Sequence, residues 1–377
     1  MKKVGIITSY LDFNKNYGGI LQAYALSEIV SNMGYDAYIM PYVYEYISER
    51  EKAESSFHKF ARKIRKQYKV LISDAFRYQE QNYKNIFAFV NATLPLFQKD
   101  RMRVTELEIL SKDFYAFISG SDQVWSTKLQ QESCDPGMFL KFVPDGVKRI
   151  AYAPSLGSTV SMSAKTAVDF RDSVLRYDAI SVRERQGQQL IKEITGLDVP
   201  IVLDPTLLLP VHKWIDFCET PPDLPEHYIL LYRFGKELNP YLQEIQQKVG
   251  LPIIELPSSE LSMHDGYDKR FDINPAQFLG IIKNAELVLT DSFHCTVFSI
   301  LLKSQFLTFY RQSPSNKSNM NGRVDDLLGM TELTSRLISP NAAVNYDKIS
   351  EAQFNLAHAN IELHREFSYQ YLTNSLQ

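Results

Sequence analysis

The stretch that most constrains the fold runs from residue 285 to residue 309, AELVLTDSFHCTVFSILLKSQFLTF. A short apolar run at 286–290 predicts a buried strand, 295–302 predicts a helix, and 305–309 predicts the next strand. A strand, a helix and a second strand in this order form the building block of a parallel sheet. The rest of the chain is therefore expected to repeat this unit.

Polar residues lie where the first of these strands must end. Asp291 and Ser292 are good N-cap residues for the helix, and Phe293 and His294 fall in its first turn. In parallel sheets, ligands bind at the carboxyl ends of the strands, where helix N-termini present free N–H groups. This pattern favours acid–base chemistry on a phosphorylated substrate. The alternative is that Asp291 and Ser292 only cap the helix and that His294 packs.

Length and composition bound the class of protein. A chain of 377 residues exceeds one ordinary core and predicts two domains. The formal net charge of −3 gives no reason to expect a nucleic-acid partner. The cysteines Cys134, Cys218 and Cys295 are far apart, and no ligand cluster has metal spacing, so neither a disulfide framework nor a bound metal is predicted.

The expected location follows from the apolar stretches. The run at 4–8 is too short for a signal peptide, and no stretch approaches the ~20 apolar residues of a membrane span. We therefore expect a cytoplasmic protein.

Short apolar runs predict the strands of two sheets. In the first half they lie at 4–8, 37–41, 114–119, 149–153, 179–182 and 201–203, and in the second at 228–232, 253–256, 287–289 and 306–309.

The domain boundary is predicted from proline. Residues 206–226 are proline-rich and are interpreted as the crossing between an N-terminal domain, 1–205, and a C-terminal domain, 227–377. A helical insertion is expected at about 45–110, and a terminal helix at 350–377. The predicted apolar stripe of that helix consists of Leu356, Ala359, Leu363, Phe367 and Tyr371.

Small residues follow two of the first-domain strands. Gly18 and Gly19 open a helix, where glycine lets the backbone approach a ligand; the alternative is a tight turn. Ser121, Asp122 and Gln123 suit recognition of a sugar or carboxylate.

Three further first-domain residues are candidates. Trp125 is a candidate stacking face for a sugar, the alternative being an Asx turn with a core tryptophan. Ser155 lies in a small-residue loop expected on the same side. Arg183 directly follows the strand 179–182 and can grip phosphate or carboxylate in a fork, or it can form a salt bridge with Glu184 or another helix-end partner.

Two further segments carry basic side chains. The segment 57–71 is a basic amphipathic helix that can lie on an anionic membrane surface, although such segments more often present a solvated charged face. A polar loop at 311–322 contains Lys317, and such a loop can close over a ligand and deliver the ammonium group.

Six motifs together resemble the polysaccharide pyruvyl transferase family. They occur in the family's order: NYGGILQAYAL at 16–26, GSDQVW at 120–125, AYAPSLGS at 151–158, SVRE at 181–184, VLDPTLL at 202–208 and TDSFHCTVFSILL at 290–302. The resemblance implies an α/β fold of two Rossmann-like domains with parallel sheets, GT-B-like, with the active site in the interdomain cleft.

The resemblance also implies an activity and its residues. Pyruvate would pass from phosphoenolpyruvate to two hydroxyls of a sugar, in a bacterial surface polysaccharide or its lipid-linked precursor, with release of phosphate. His294 matches the family's acid–base histidine, and Arg183 and Lys317 match cations that we assign to donor binding. Phosphoenolpyruvate is the donor substrate, and no cofactor is implied. The N-terminal insertion is expected on the acceptor side and the C-terminal domain on the donor side.

One position near the expected site departs from the family pattern. Cys295 stands where the family usually has glycine, which places a thiol near the expected site. If the acceptor is lipid-linked, the segment 57–71 is the candidate peripheral contact with the inner face of the plasma membrane. The alternatives are a nucleotide-sugar glycosyltransferase of GT-B architecture and a non-catalytic glycan-binding relative.

Overall fold

A computed structural model describes residues 1–10, 16–53, 64, 74–258, 266–313 and 321–377 of the chain. The chain divides into two compact units. The first consists of Met1–Tyr10, Gly19–Pro205 and Phe367–Gln377, and the second of Leu11–Gly18 and Thr206–Glu366. The first unit includes residues up to Pro205, and the segment 206–226, predicted as the crossing, counts with the second unit. Residues 16–18 also count with the second unit, and the end of the terminal helix counts with the first.

The first unit is built on a five-stranded parallel sheet. Its strands are β1 (Lys3–Ile7), β2 (Asp36–Ile39), β3 (Ala116–Ser119), β4 (Lys148–Ala151) and β5 (Ala179–Ile180), in the order β2-β1-β3-β4-β5. Strands β1 and β3 are almost wholly buried. Such strands read as continuous apolar runs, which is why the sequence predicts them.

Helices connect these strands. They are α1 (Tyr17–Asn32), α2 (Glu45–Ala53), α3 (Asp74–Thr93), α4 (Val104–Leu110), α5 (Ala164–Val174) and α6 (Arg185–Thr195). The Ser163 hydroxyl caps α5 by accepting a hydrogen bond from the Thr166 N–H. Helix α6 ends at Gly196, which has the left-handed φ of 77° that a helix C-terminus commonly requires.

Trp125 belongs to the core of the first unit. Its side chain is fully buried, and its ring stacks on Phe139 with the ring centroids 5.5 Å apart. Phe170 meets the same ring edge-on. The stacking-face interpretation of Trp125 is therefore wrong, because the apolar packing that buries the indole leaves no face for a sugar.

The predicted strand at 201–203 is also wrong. Ile201 forms only an isolated bridge with Val182, through hydrogen bonds of Val182 to Pro200 and Val202. Proline has no N–H, and Asp204-Pro205 follows at once, so the pairing cannot extend into a ladder.

The second unit contains a six-stranded parallel sheet. Its strands are β6 (Ile229–Tyr232), β7 (Ile253–Glu255), β8 (Asp268–Lys269), β9 (Leu287–Thr290), β10 (Phe306–Phe309) and β11 (Leu337–Ile338), in the order β11-β10-β9-β6-β7-β8. The sequence did not predict β8 and β11, since two-residue strands are too short to show a pattern. The predicted α/β class with two parallel sheets is confirmed.

The helices of the second unit include two in the proline-rich segment. They are α7 (Pro205–Leu208), α8 (Val211–Phe217), α9 (Leu242–Val249), α10 (Pro275–Asn284), α11 (Phe293–Leu301), α12 (Gly322–Met330) and α13 (Glu351–Leu376), the last extending into the first unit. Helix α10 begins with a capping box formed by Asn274 and Gln277, and Pro275 occupies its first turn. All residues of α11 are buried.

The terminal helix α13 packs through a different face from the predicted one. Its buried positions include Phe354, Ala357, Ile361, Leu372 and Leu376. The predicted stripe is largely exposed instead: Leu363 has 73% of its surface accessible to solvent. Both sets fit helical spacing, and the periodicity alone cannot say which apolar stripe finds a partner.

Two structural observations concern the membrane predictions. Apart from Ile64, which is exposed, the segment 57–71 lies outside the described residues. In the described part of the chain, no helix combines the length and apolar character needed to cross a membrane.

Candidate functional site

The turn from β9 to α11 is built by short hydrogen bonds. Thr290 ends β9, and its hydroxyl donates to the Tyr232 carbonyl oxygen at 2.6 Å and accepts from the Ser292 N–H at 3.0 Å. Ser292 is the N-cap of α11, with Oγ 3.4 Å from the Cys295 nitrogen. The cap predicted for Ser292 is therefore present. The turn stands at the carboxyl edge of the second sheet.

Asp291 does not cap the helix. Its carboxylate accepts hydrogen bonds from the backbone N–H groups of Phe234, at 2.9 Å, and Gly235, at 2.6 Å. Arg311 Nε lies 3.7 Å from Asp291 Oδ1, and the Arg311 guanidinium stands over the Phe234 ring, 4.4 Å from its centroid. Asp291 thus joins the residues that follow β6, β9 and β10, which makes it a buried anchor of the turn.

His294 lies in the first turn of α11 with 6% of its surface exposed. The Phe293 ring meets the imidazole nearly perpendicularly, with centroids 5.2 Å apart. Gly18 packs so closely that a Cβ there would overlap His294 Nδ1. The preceding Tyr17 donates its hydroxyl to the Ile273 carbonyl and stacks on Phe278. The Gly18 backbone thus packs against the imidazole, while its predicted approach to a ligand stays a prediction.

Two arginines that the sequence analysis did not select flank this turn. Besides Arg311, the buried Arg323 of α12 places its guanidinium carbon 5.8 Å from the Phe293 ring centroid. Both stand close to residues of the turn, so their charges favour an anion there. One sequence signal was available for Arg311, because it comes just after a strand in the same way as Arg183.

A second buried ion-pair cluster lies along the same edge. Glu255 ends β7, with Oε1 3.3 Å from Arg233 Nε and Oε2 3.9 Å from Lys269 Nζ. Arg233 follows β6 and Lys269 ends β8, so three adjacent strands supply the cluster. No sequence motif had indicated Arg233 or Glu255 as site residues.

The environment of Cys295 gives its thiol low nucleophilic reactivity. The side chain is fully buried, and burial raises its pKa from 9.0 to about 12. The thiolate, which is the nucleophilic form, is therefore scarce at neutral pH. The departure from the family's glycine affects packing rather than adding a reactive group.

In the first unit, Arg183 is enclosed by three carboxylates. Arg183 Nη1 lies 2.6 Å from Asp204 Oδ2, and its other nitrogens lie 3.5 Å from Asp122 Oδ1 and 3.6 Å from Glu184 Oε2. Burial lowers the pKa of Arg183, but the carboxylates, led by Asp204, outweigh burial and raise it. The salt-bridge alternative is thus present, with Asp204 as the closest partner, while donor binding by Arg183 stays a prediction.

The small polar residues of the first unit gather around the same cluster. Ser121 Oγ lies 2.9 Å from the Ala153 carbonyl oxygen and 3.1 Å from Asp204 Oδ2. The Ser155 N–H donates to the Asp122 carbonyl at 2.8 Å. Gln123 is half-buried, and its amide oxygen lies so close to Gly157 that no Cβ would fit there. The motifs at 120–125, 151–158, 181–184 and 202–208 therefore meet at the carboxyl ends of β3, β4 and β5.

Gly19 takes part in a further network of the first unit. Gln22 Nε2 donates to the Gly19 carbonyl and to Thr8 Oγ1, both at 2.8 Å. The Thr8 hydroxyl donates to the Ser121 carbonyl, and the Ser121 N–H donates to Gln22 Oε1. The helix after β1 is thereby tied to the loop after β3, a role that the sequence did not indicate for Gln22.

The predicted site residues therefore form two groups. Gly18, Asp291, Ser292, Phe293 and His294 lie together in the second unit. The first unit contains Gly19, Ser121, Asp122, Gln123, Ser155 and Arg183. Lys317 lies outside the described residues. Within the described ranges, His, Cys, Asp and Glu form no group of three that could hold a metal ion.

Two units with parallel sheets, each with polar side chains at the carboxyl edge, define an α/β protein of the Rossmann-like class. The family model for polysaccharide pyruvyl transferase matches residues 16–313, and the chain belongs to this family. The resemblance of the six motifs is thus confirmed. No curated protein matches the chain in sequence.

Solved structures resemble the chain at low identity. A structure described as a UDP-N-acetylglucosamine 2-epimerase from Listeria monocytogenes is 9% identical, with a TM-score of 0.50 over 99% of this chain and 90% of that one. The UDP-GlcNAc 2-epimerase of Methanocaldococcus jannaschii is 15% identical, with a TM-score of 0.47, 98% of this chain and 100% of that one being covered. A glycosyltransferase from Streptomyces nogalater is 10% identical, with a TM-score of 0.44 over both whole chains. At such identities, likeness concerns the fold alone.

Proposed function

We propose that this protein transfers pyruvate from phosphoenolpyruvate to two hydroxyls of a sugar, forming a cyclic ketal and releasing phosphate. Family membership supports a transferase of polysaccharide synthesis. The observation that carries the proposal is the β9–α11 turn, where His294 stands in the first helical turn beside Ser292, close to Arg311 and Arg323. A proton-transfer group next to cations and a helix N-terminus suits an anionic donor.

The proposed reaction needs several proton transfers. A proton delivered to the terminal enol carbon of phosphoenolpyruvate generates an oxocarbenium-like centre, which the first sugar hydroxyl attacks with loss of its proton. Departure of phosphate, which takes up a proton, regenerates such a centre, and the second hydroxyl attacks it with loss of its own proton. The balance is phosphoenolpyruvate plus diol giving ketal plus phosphate. We assign to His294 the delivery and removal of these protons.

The donor carries a phosphate and a carboxylate, and both require compensation. We assign donor binding to the second unit, where Arg311 and Arg323 join His294 at the turn. Arg183 and Lys317 remain in the proposal as the cations that the family motif supplies. The three carboxylates around Arg183 mean that a donor would have to compete for its guanidinium.

The test is phosphate release from phosphoenolpyruvate with a panel of galactoside, glucoside and mannosamine-type acceptors. We expect acceptor-dependent release, and a mass gain on the acceptor equal to pyruvate less one water. His294→Ala should lower the rate of release by about 10²- to 10⁴-fold without loss of the folded protein. Release that does not depend on any acceptor, or an acceptor of unchanged mass, would refute ketal formation.

The remaining details of the proposal concern the acceptor. We propose a surface polysaccharide or its lipid-linked precursor, modified on the cytoplasmic side of the membrane. The competing function is a nucleotide-sugar glycosyltransferase. Thermal stabilisation by UDP, together with no stabilisation by phosphoenolpyruvate, would favour that competitor.

A further inference from the structure

A cavity of about 360 Å³ opens at the amino-terminal edge of the second sheet. Its lining includes Leu287, which begins β9, and Gln305 and Arg336, which directly precede β10 and β11. Because these strands are parallel, their amino ends share one edge, and their carboxyl ends, including the turn with His294, lie at the other. The cavity is therefore separate from the β9–α11 turn.

The walls of the cavity are mainly apolar. Val249 of α9, Leu251, Leu287 and Leu307 line it, together with the Tyr346 ring. Apart from Leu307, these side chains are only partly buried, on the margin of the core of the second unit. Small-molecule sites typically combine such walls with a few polar groups and begin at about 300 Å³.

A buried cation lines the same cavity. Arg336 has 4% of its surface exposed and donates to the carbonyls of Asp347, at 2.6 Å, and Asn345, at 2.9 Å. In the described part of the chain no carboxylate forms an ion pair with it, and Arg336 Nε has no hydrogen-bond partner. Burial lowers the pKa of Arg336, and the nearby Asp347 carboxylate opposes that effect. A buried charge without a counter-ion is costly.

The lining contains two cations, Arg336 and Lys348, and two acids, Glu286 and Asp347, and in the described part of the chain neither acid forms an ion pair with either cation. Lys348 lines it and is exposed, and within the described ranges it forms no ion pair. Of the two acids in the lining, Glu286 is paired with His227 at 2.9 Å. Asp347 is exposed to solvent. An anion in the cavity would thus meet two cations that no carboxylate neutralises by contact.

We propose that this cavity is a second binding site, for a small amphipathic carboxylate whose apolar body lies against Val249, Leu251 and Leu287 and whose anionic group faces Arg336 and Lys348. The apolar walls favour the apolar body, and the guanidinium, which has no ion-pair partner among the described residues, favours the anion. The site lies at the opposite edge of the sheet from the proposed donor site, so the ligand and phosphoenolpyruvate do not compete.

The experiment uses 4-phenylbutyrate as the probe and 4-phenylbutyramide as its neutral counterpart. Binding to the full chain is measured by calorimetry or ligand-observed NMR without phosphoenolpyruvate, so the result does not depend on turnover. We expect saturable binding of the carboxylate. The amide should bind at least about tenfold more weakly, because only the carboxylate compensates the cations. Addition of phosphoenolpyruvate should leave carboxylate binding unchanged.

Two variants test the location. Val249→Trp fills the cavity from its wall and should abolish binding, and Lys348→Gln removes the exposed cation and should weaken binding about threefold to tenfold. Lys165→Gln, which changes an exposed lysine of α5 in the first unit, is the matched control and should bind like the unchanged protein. Arg336 is not substituted, since its hydrogen bonds also hold the 345–347 loop.

Three outcomes would overturn the proposal. The first is no saturable binding of 4-phenylbutyrate with a Kd below about 10 mM. The second is equal affinity for the carboxylate and the amide. The third is unchanged carboxylate binding by a folded Val249→Trp protein, which would place the probe elsewhere on the molecule.

Discussion

The carboxyl edges of the two sheets differ in their balance of buried charge. In the first unit, a single arginine, Arg183, is surrounded by Asp122, Glu184 and Asp204. Among the described residues of the second unit, the buried acids Asp291 and Glu255 lie at an edge that also contains four cations, namely Arg233, Lys269, Arg311 and Arg323. Both edges are carboxyl edges of parallel sheets, but the buried charges give them electrostatic potentials of opposite sign.

This contrast indicates what each edge can bind. A donor with a phosphate and a carboxylate is favoured by the cationic edge of the second unit and opposed by the anionic cluster of the first. Carboxylates and hydroxyls are instead good partners for the hydroxyls of a sugar. The contrast therefore supports the proposed donor side in the second unit, and at the first edge a donor would compete with three carboxylates for Arg183.

The largest effect is expected at the second edge. His294→Ala should lower turnover by about 10²- to 10⁴-fold, the usual contribution of a general acid–base, and change the donor KM little. His212, an exposed histidine of α8, provides the control, and His212→Ala should retain full turnover. Turnover of His294→Ala within a factor of about two of the unchanged enzyme would remove His294 from the mechanism.

A substitution of Arg183 tests how much the charge cluster at the first edge contributes to stability. Arg183→Ala leaves three buried carboxylates without their cation, and the free energy of unfolding should fall by about 3–5 kcal/mol in denaturant titrations. Arg171→Ala removes an exposed partner of Asp172 and should cost about 1 kcal/mol or less.

The donor KM of Arg183→Ala separates a role of Arg183 in donor binding from a role in organising the first-unit loops. A folded Arg183→Ala protein with a raised donor KM would support donor binding and weaken the contrast between the edges. An unchanged donor KM with lowered stability would make Arg183 an organiser of the first-unit loops.

A substitution at Gly18 tests whether the position of the His294 ring limits the reaction. Gly18→Ala introduces a Cβ that overlaps His294 Nδ1, so the ring must move, and turnover should fall by about tenfold to a hundredfold. Gly329→Ala is the control, because nothing lies within 4 Å of a Cβ at that helical glycine. Equal turnover in the two variants would show that the position of the ring does not limit the reaction.

The smallest effect is expected at Cys295. The thiol should contribute no ionisation to the pH–rate profile near neutrality, and Cys295→Ala should leave that profile unchanged. Because its pKa is raised on folding, the stability that the neutral thiol contributes is present below pH 9.0 and is lost as pH rises toward about 12. Rapid labelling of Cys295 by a thiol reagent in the native protein would contradict this environment.

Several features of the fold and site are readable from the sequence. Buried parallel strands appear as short apolar runs, so β1, β6 and β9 are recognisable without tertiary information. The cap at Ser292 and the position of His294 in the first turn follow from local chemistry. The order of six motifs indicates the family, because each motif is weak alone and the ordered set is specific.

Other features depend on contacts between distant residues. The helix α13 has two apolar stripes, and only packing decides that Ile361 is buried while Leu363 is exposed. Trp125 follows a strand as a binding residue would, but the rings of Phe139 and Phe170 enclose it. Position in the chain cannot tell a core residue from a ligand contact when both follow a strand.

The sequence by itself therefore determined the α/β class, the family, and the strand ends at which chemistry is expected, since these depend on local periodicity and on ordered motifs. The tertiary structure alone decided the partners. It placed Asp204 against Arg183, turned Asp291 toward the Phe234 and Gly235 N–H groups, and set Gly18 against His294. These pairs join residues far apart in the chain, and no local pattern encodes which buried charge will meet which.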